Sequence, residues 1–516
     1  MKFGQLPLRQ LRRHVEYRAL PACPQMPNQH QAEISRITTA LRPCRRIFSA
    51  VQQRRAYSTA GVPVSQLLFG QPVHETHPHL LAPGELTPGI TAVEYHERRA
   101  ALCGALPPGS AMLLPSAPVK YRSGAVFHAF RQETNFLYLT GFSEPESMAV
   151  LRRTGDEPGD YAFHLYCRPK DARAEQWSGP WSGVDAARDV WNADEAGDIG
   201  RAEYLLPEAL RGVSKIFTDA ELTRHGVPTK FGNLVRAVAP GVPTAPLRPH
   251  VNALRAVKSP AEIANMRRAG RDSGRAITEA MRRPWRYEKD LAAFLEYRYQ
   301  TAGLDGSAYI PVVAGGRRAT LIHYVQNSAA LNEKEKENED DLVLVDAGGE
   351  YGAYVTDITR TWPNNASGRF SAAQRDLYAA VLRAQRSAVS LCRASAGLSL
   401  DKLHGIAETA LRDLLRDLGF RLAGDDMSRL FPHHLGHYVG LDVHDVPGYP
   451  RNVPLREGHC VTVEPGVYVP DEDRFPEHFR GVGIRIEDTV CVGDDVPLIL
   501  TTEAVKEIED IEALRD

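Results

Sequence analysis

Ahead of the alternating runs of apolar residues, TAVEYHERRAALCGAL predicts a helix from about residue 91, and PPG at 107–109 predicts where it stops. Short runs after it, SAMLLPSA and then MAVLRR, predict strands, so residues 91–250 read as an α/β domain. The pattern changes near 245–260. Ser259, Pro260 and Glu262 supply an N-cap, a first-turn proline and the glutamate of a capping box. Behind them Ile263, Met266, Ala269, Ser273 and Ile277 keep a helical period until Pro284. Further helices are predicted over 287–302, 371–395 and 400–418, and strands over 342–346, 353–362, 460–469 and 482–492. Helices and strands therefore mix over 251–516, as in an α+β domain. Residues 58–90, rich in Pro and Gly, read as an extended lead-in, and EKEKENEDD at 333–341 as a solvated loop before a strand.

Composition sharpens this in two places. The 516 residues are 43% hydrophobic and 24% charged, a globular balance with chain enough for two or more domains. No apolar run reaches the 18 residues that suggest a membrane span. The net charge of −2 hides two unlike pieces. Residues 1–57 carry Lys2 and ten arginines against Glu16 and Glu33, a net +9, which leaves 51 basic and 62 acidic groups, a net −11, for the rest. An acidic body argues against nucleic-acid binding. The leader, where Leu6, Leu11 and Val15 can share one helical side among arginines, has the composition of a mitochondrial presequence. Arg54 and Arg55 ahead of Tyr57 and Ser58 read as its processing junction. The expected location is the mitochondrial matrix, with a basic tail on a cytoplasmic protein as the alternative. Seven cysteines without a CxxC pair suit a reducing compartment.

Five residues of the C-terminal half sit where an ordinary core would not place them. Asp346 ends LVLVD, Asp357 interrupts AYVTDITRTW, and Glu464 interrupts CVTVEPGVYV. Glu487 lies in GIRIEDTV two residues after Arg485, and His437 lies in HHLGHYVGLDVHD. A carboxylate inside an apolar strand is expensive unless it is paired or bound to metal. Singly, each reads more readily as a strand-end or salt-bridged acid. Together, four converging carboxylates would repel, and two divalent cations would cancel their charge. Oxygen donors with one imidazole suit Mn2+, Co2+ or Zn2+ rather than a thiolate-seeking ion.

VDAGGEYGAYVTDITRTWP, HHLGHYVGLDVHD, VTVEPGVY and GIRIED, in that order, resemble the signature segments of aminopeptidase P and prolidase, the pita-bread metallopeptidases. FRQETNFLYLTGFSEPES (130–147) resembles the N-terminal domain of aminopeptidase P. The resemblance implies an aminopeptidase P-like N-terminal domain over 91–250 and a pita-bread catalytic domain over 251–516. It implies that Asp346, Asp357, His437, Glu464 and Glu487 hold two divalent metals, commonly manganese, with a water between them as nucleophile and Glu464 as general base. His323 in LIHYVQN and His444 in GLDVHD match the family's outer histidines, expected at the scissile carbonyl. His433 and Arg485 match positions around the leaving side, and Tyr468 stands near Glu464.

The implied activity is release of the N-terminal residue from a peptide or protein. That residue is expected ahead of proline or, as in mitochondrial members of the family, as one bulky residue left by presequence removal. Prolidase action on Xaa-Pro dipeptides and a non-catalytic peptide-binding module are the alternatives, and the complete donor set counts against the second. A homo-oligomer, dimer or tetramer, is expected. Departures from the family pattern are His434 and Gly436 where Gly then Ser is commoner, Arg317 and Arg318 where Asn is frequent, and Pro180 in EQWSGPWSG (175–183).

Overall fold

The computed structural model describes residues 68–224, 227–331 and 342–516. The basic leader, its junction at 54–58, the first part of the lead-in and the charge run at 333–341 lie outside these residues. Among the described residues no helix is long and apolar enough to cross a membrane.

Thr91 caps helix α1 (Ala92–Ala105), its hydroxyl accepting from Glu94 N. The strands that follow form one six-stranded mixed sheet: β1 (Ser110–Pro115), β2 (Met148–Arg153), β3 (Tyr161–Cys167), β4 (Glu195–Asp198), β5 (Lys215–Phe217) and β6 (Thr244–Ala245). Their spatial order is β6-β5-β1-β2-β3-β4. β1 pairs antiparallel with β2 and β2 with β3, while the outer pairs run parallel. Between β1 and β2 lies the short helix α2 (Thr134–Thr140), capped by the Glu133 carboxylate. The lead-in differs from its expected extended form. Residues 73–81 wind through turns, His77 N bonding to Val73 O and Leu81 N to His77 O, because Val73, Leu86 and Ile90 bury against this domain.

Helix α3 (Arg248–Arg255) leads to α4 (Pro260–Met281), whose capping box from Ser259 and Glu262 forms with both bonds in place. Then come α5 (Glu288–Thr301), β7 (Val312–Gly315), β8 (Leu342–Asp346), β9 (Tyr354–Val355) and β10 (Thr359–Pro363). They are followed by α6 (Ala372–Ser390), α7 (Leu400–Asp417), β11 (Cys460–Val463), β12 (Gly466–Tyr468), β13 (Gly483–Arg485) and β14 (Asp488–Cys491). β8 is the centre of an antiparallel triplet with β7 and β10, β11 pairs with β14, and β12 pairs with β13. Ile277, Leu291, Leu295, Leu377, Val381, Leu403 and Leu411 from the helices share one core with Val343, Val345, Val461 and Val490 from the strands. Each such side chain contributes about 1.5–3 kcal/mol of burial. A second core joins Phe136 and Phe142 of the N-terminal domain to Val355, Val439 and Leu441 of the C-terminal one, so the two domains meet across packed apolar surface.

Three strands expected as continuous are each broken. The breaks fall at Asp357, between β9 and β10, at Glu464, between β11 and β12, and at Glu487, between β13 and β14. Ladder pairing stops there because the backbone finds partners elsewhere. Asp357 N donates to Thr489 Oγ1 at 3.0 Å, Glu464 N to Leu435 O at 2.8 Å, and Glu487 N to Thr359 O at 3.0 Å. Pro465 has no N–H to continue a ladder. Each break turns an acidic side chain off its strand and toward the others.

Candidate active site

The breaks converge. Ligand-type atoms of Asp357, His437 and Glu487 lie within 4.8 Å of one another. Asp346, at the end of β8, joins through Tyr309, whose hydroxyl lies 2.6 Å from Asp346 Oδ1 and also bonds Asp357 Oδ1. Glu464 joins through His437, whose Nε2 is 3.5 Å from both Glu464 Oε1 and Asp357 Oδ2. Three of the five expected donors thus face one point, with Asp346 and Glu464 joined at its edge. His437 reaches it because Gly436 lets the chain lie flat on β11, where a Cβ would stand 2.0 Å from Thr462 O. His437 Nδ1 donates to Tyr438 O at 3.0 Å, which leaves Nε2 as the free donor atom toward the acids.

Charge at this point is unbalanced. Four buried or half-buried carboxylates face a single buried guanidinium, Arg485, whose Nη2 donates to Asp346 Oδ2 at 2.7 Å. Burial and then the Asp357 charge push Asp346 up to about 6. Burial pushes Glu464 up to about 7. Burial and then the neighbouring carboxylates hold Glu487 well above the usual range. Burial works against charge on Asp357 and His437 as well. Their mutual hydrogen bond and opposite charges nevertheless leave Asp357 low and bring His437 up to about 9. Tyr309 has one proton to share between two carboxylates, and Glu487 Oε1, fully buried, has no partner among the described residues. Such crowding with an orphaned buried oxygen is what divalent cations would relieve, and carboxylates with one imidazole are the donor set that Mn2+, Co2+ or Zn2+ accept.

Each raised group contributes metal-free stability that falls with pH. Asp346, Glu464 and His437 sit above their unfolded values, so their contribution is complete below those values and is lost as pH rises through about 6, 7 and 9. Asp357 and the histidines that burial lowers, His433 and His444 among them, have the opposite sign, their contribution being lost on acidification. Added Mn2+ should raise the melting temperature more at pH 8 than at pH 5.5, because at the lower value the cations must displace protons that the raised groups still hold. Calorimetry at both values checks it.

Around the donors, Arg485 Nη1 donates to Tyr468 OH at 2.7 Å, and Tyr468 OH lies 2.8 Å from His433 Nε2. His433 Nδ1 donates to His434 O, so Nε2 accepts from the phenol, and burial brings the ring down to about 3. His433 is a neutral acceptor. His444 is exposed with its ring edge-on to His437 at 4.3 Å between centroids. His323 is exposed on the rim, near His433 and His444. Arg318, one of the departures, is a supporting residue: it donates to fully buried Glu288 at 2.7 Å and to Ala330 O at 2.8 Å. Arg317 pairs with Asp471 at the surface.

Two residues of this site went unread in the sequence, Tyr309 and Thr462, while Thr359 lies two residues from Asp357, on the same face by strand alternation. Thr359 Oγ1 accepts from Arg485 Nε at 2.9 Å and donates to Glu487 Oε2 at 2.6 Å. Thr462 Oγ1 accepts from His437 N and lies 3.2 Å from Glu464 Oε1. Nothing local marks Tyr309. Orienting partners of this kind tune metal affinity by about 10–100-fold. Thr359→Val keeps the shape and removes both bonds, so Mn2+ affinity should fall by that factor in a calorimetric titration.

A domain with a six-stranded mixed sheet, packed on broken-strand sheets that gather four acids and a histidine, defines a metallohydrolase of the pita-bread class. Residues 264–494 match metallopeptidase family M24, and residues 95–217 match the aminopeptidase P N-terminal domain. The chain is 40% identical over 496 residues to intermediate cleaving peptidase 55 of Saccharomyces cerevisiae, covering 93% of this chain and 96% of that protein. It is 38% identical over 515 residues to Xaa-Pro aminopeptidase 3 of Mus musculus, covering 93% and 97%. With intermediate cleaving peptidase 55, mitochondrial, of Arabidopsis thaliana it shares 36% identity over 466 residues, 90% of each chain. The crystal structure of the Saccharomyces cerevisiae peptidase lacking its N-terminal 58 residues matches with a TM-score of 0.77 at 40% identity, over 84% of this chain and 99% of that one. Escherichia coli aminopeptidase P matches with 0.75 at 33% identity, over 82% and 98%. The chain belongs to metallopeptidase family M24 and is a metal-dependent aminopeptidase.

Proposed function

We propose that this aminopeptidase removes a single residue from the N-terminus of a peptide or protein, using two divalent cations, manganese in preference to cobalt or zinc. Asp346, Asp357, His437, Glu464 and Glu487 would hold them. The observation that carries this reading is the meeting of Asp357, Glu464 and Glu487 about one freed imidazole nitrogen, with Asp346 joined to Asp357 through Tyr309 and Glu487 Oε1 buried and unpartnered among the described residues. Bound there, the cations supply Lewis acidity and lower the pKa of a coordinated water.

The chain's own groups do the rest. Glu464, fixed by the Thr462 hydroxyl at 3.2 Å, takes the proton of the attacking water and returns it to the leaving amine. His323 and His444, on the rim, face the scissile carbonyl. Arg485 keeps Asp346 ionised and, through Tyr468, fixes neutral His433 beside the leaving side. Trp177, 87% exposed on a helix of the N-terminal domain, supports a homo-oligomer, dimer or tetramer, with that surface against a second copy.

The substrate reading combines the two specificities in the relatives' names, Xaa-Pro cleavage and intermediate cleavage. The Arg-rich leader and its RRAY junction ahead of Ser58 support the mitochondrial matrix as the location and a processed precursor, with one bulky N-terminal residue, as a substrate. The test uses protein beginning at Ser58, with Mn2+, on three peptides: one starting Tyr-Ser, an Xaa-Pro tripeptide and an Xaa-Pro dipeptide. Release from the first two and not the third is expected, with activity lost on chelation. Cleavage of the dipeptide alone would make the protein a prolidase, and equal activity without metal would sink the proposal.

A further inference from the structure

His444 hangs from residues 439–445, a loop that belongs to none of the strands around it. Two carboxylates of that loop, Asp442 and Asp445, flank the histidine and anchor it from below. Asp445 accepts from Lys258 Nζ at 2.9 Å and from Arg255 Nη2. The Lys258 and Asp445 side chains are each 1% exposed. Asp442 accepts from the same Arg255 Nη2 at 2.8 Å and from Thr134 Oγ1 at 2.9 Å. Arg255 in turn donates to Thr134 Oγ1 and Asn135 Oδ1 at the start of α2, in the N-terminal domain. The cluster closes tightly. A Cβ at Gly440 would stand 2.5 Å from Asp445 Oδ2 and 2.7 Å from Lys258 Cε.

Two buried cations around one buried carboxylate, with Asp442 half-exposed at the edge, are a weak source of stability, since desolvation offsets most of their attraction. They are a strong source of geometry, because each charge has one satisfactory position. Arg255 ends α3 and Lys258 precedes α4, so both lie on the segment between the two domains. We propose that Arg255, Lys258 and Asp445 are positioning residues of the reaction: the buried cluster sets the His444 ring against His437 and the substrate carbonyl, and the interdomain segment thereby governs turnover. This rests on the reading of His444 as a carbonyl-facing residue. A displacement of about 1 Å at such a group costs on the order of 10²-fold in rate.

The test is a double-mutant cycle on the metal-loaded enzyme. Lys258→Met should lower kcat by on the order of 10²-fold with KM and bound metal unchanged. In a His444→Ala background the same substitution should change kcat by less than about twofold, since the ring it positions is gone. Asp442→Asn, at a half-exposed site that tolerates change, should give a smaller fall that also vanishes in the His444→Ala background. It carries the comparison if Lys258→Met does not accumulate as folded protein. Equal losses in both backgrounds, or an unchanged kcat in the wild-type background, overturn the proposal and leave the functional reading standing. Wild-type enzyme without peptidase activity overturns the functional reading, and the proposal with it.

Discussion

Glu464→Gln is expected to lower kcat by about 10³-fold or more while leaving the fold in place. General acid–base catalysis contributes about 10²–10⁴-fold, and here the same group is also a proposed donor to the cations, so both losses fall on one residue. The substitution is close to isosteric. The amide carbonyl it introduces could still meet the Thr462 hydroxyl, and the backbone bond from residue 464 to Leu435 O is untouched. What disappears is a negative charge and a basic oxygen at the point where Asp346, Asp357 and Glu487 converge. Metal-free, the variant should be no less stable than the parent, because it removes one member of a mutually repelling set whose burial already pushes Glu464 up to about 7. Rate and metal content measured together check it. Activity within tenfold of the parent would remove Glu464 from the proton-transfer role.

The same residue shows what a single chain of letters can and cannot tell. Glu464 was legible because an acid stood in an otherwise apolar run, and so were Asp357 and Glu487. Strand pattern alone placed them inside continuous strands, where their side chains would point into a core or away from it. The structure breaks each strand at the acid instead, and a break of this kind has no period that hydrophobic spacing can detect. Ser259 and Glu262 were legible as a helix start because both partners of the capping box lie within four residues. Tyr309 was not, because its two partners lie 37 and 48 residues away. Nor was the bond between Arg255 and Asp445, 190 residues apart, although it lies next to His444. Local chemistry was readable, and long-range pairing of polar groups was not.

Asp488→Asn is expected to destabilise the protein by about 3–5 kcal/mol, the cost of breaking a fully buried charge cluster. Asp488 follows Glu487 directly and is wholly buried between two cations. Arg360 Nη2 donates to its Oδ1 at 2.7 Å, and Lys506 Nζ bonds Oδ2. Gln385 Nε2 and Thr501 Oγ1, each at 2.8 Å, complete its shell. Removing the charge leaves Arg360, 0% exposed, and Lys506 facing each other without a counter-ion. Burial works against ionisation of Asp488, but the two cations win and hold the carboxyl far below its usual range. A depressed carboxylate contributes stability that is present above its unfolded pKa of about 3.9 and is lost as pH falls. The difference in unfolding free energy between parent and variant should therefore be constant above pH 5 and shrink below pH 4. Denaturant titrations across pH 3–8 measure it, and a difference independent of pH would show that lost packing, not charge, is responsible. The consequence should reach the metal site as well. Arg360 also donates to Glu487 O and Thr359 O, and Thr359 holds the Glu487 carboxylate. Loosening Arg360 should then weaken Mn2+ binding even where the variant is fully folded, because the charge cluster under β10 and β14 is what fixes Glu487 at the break between its strands.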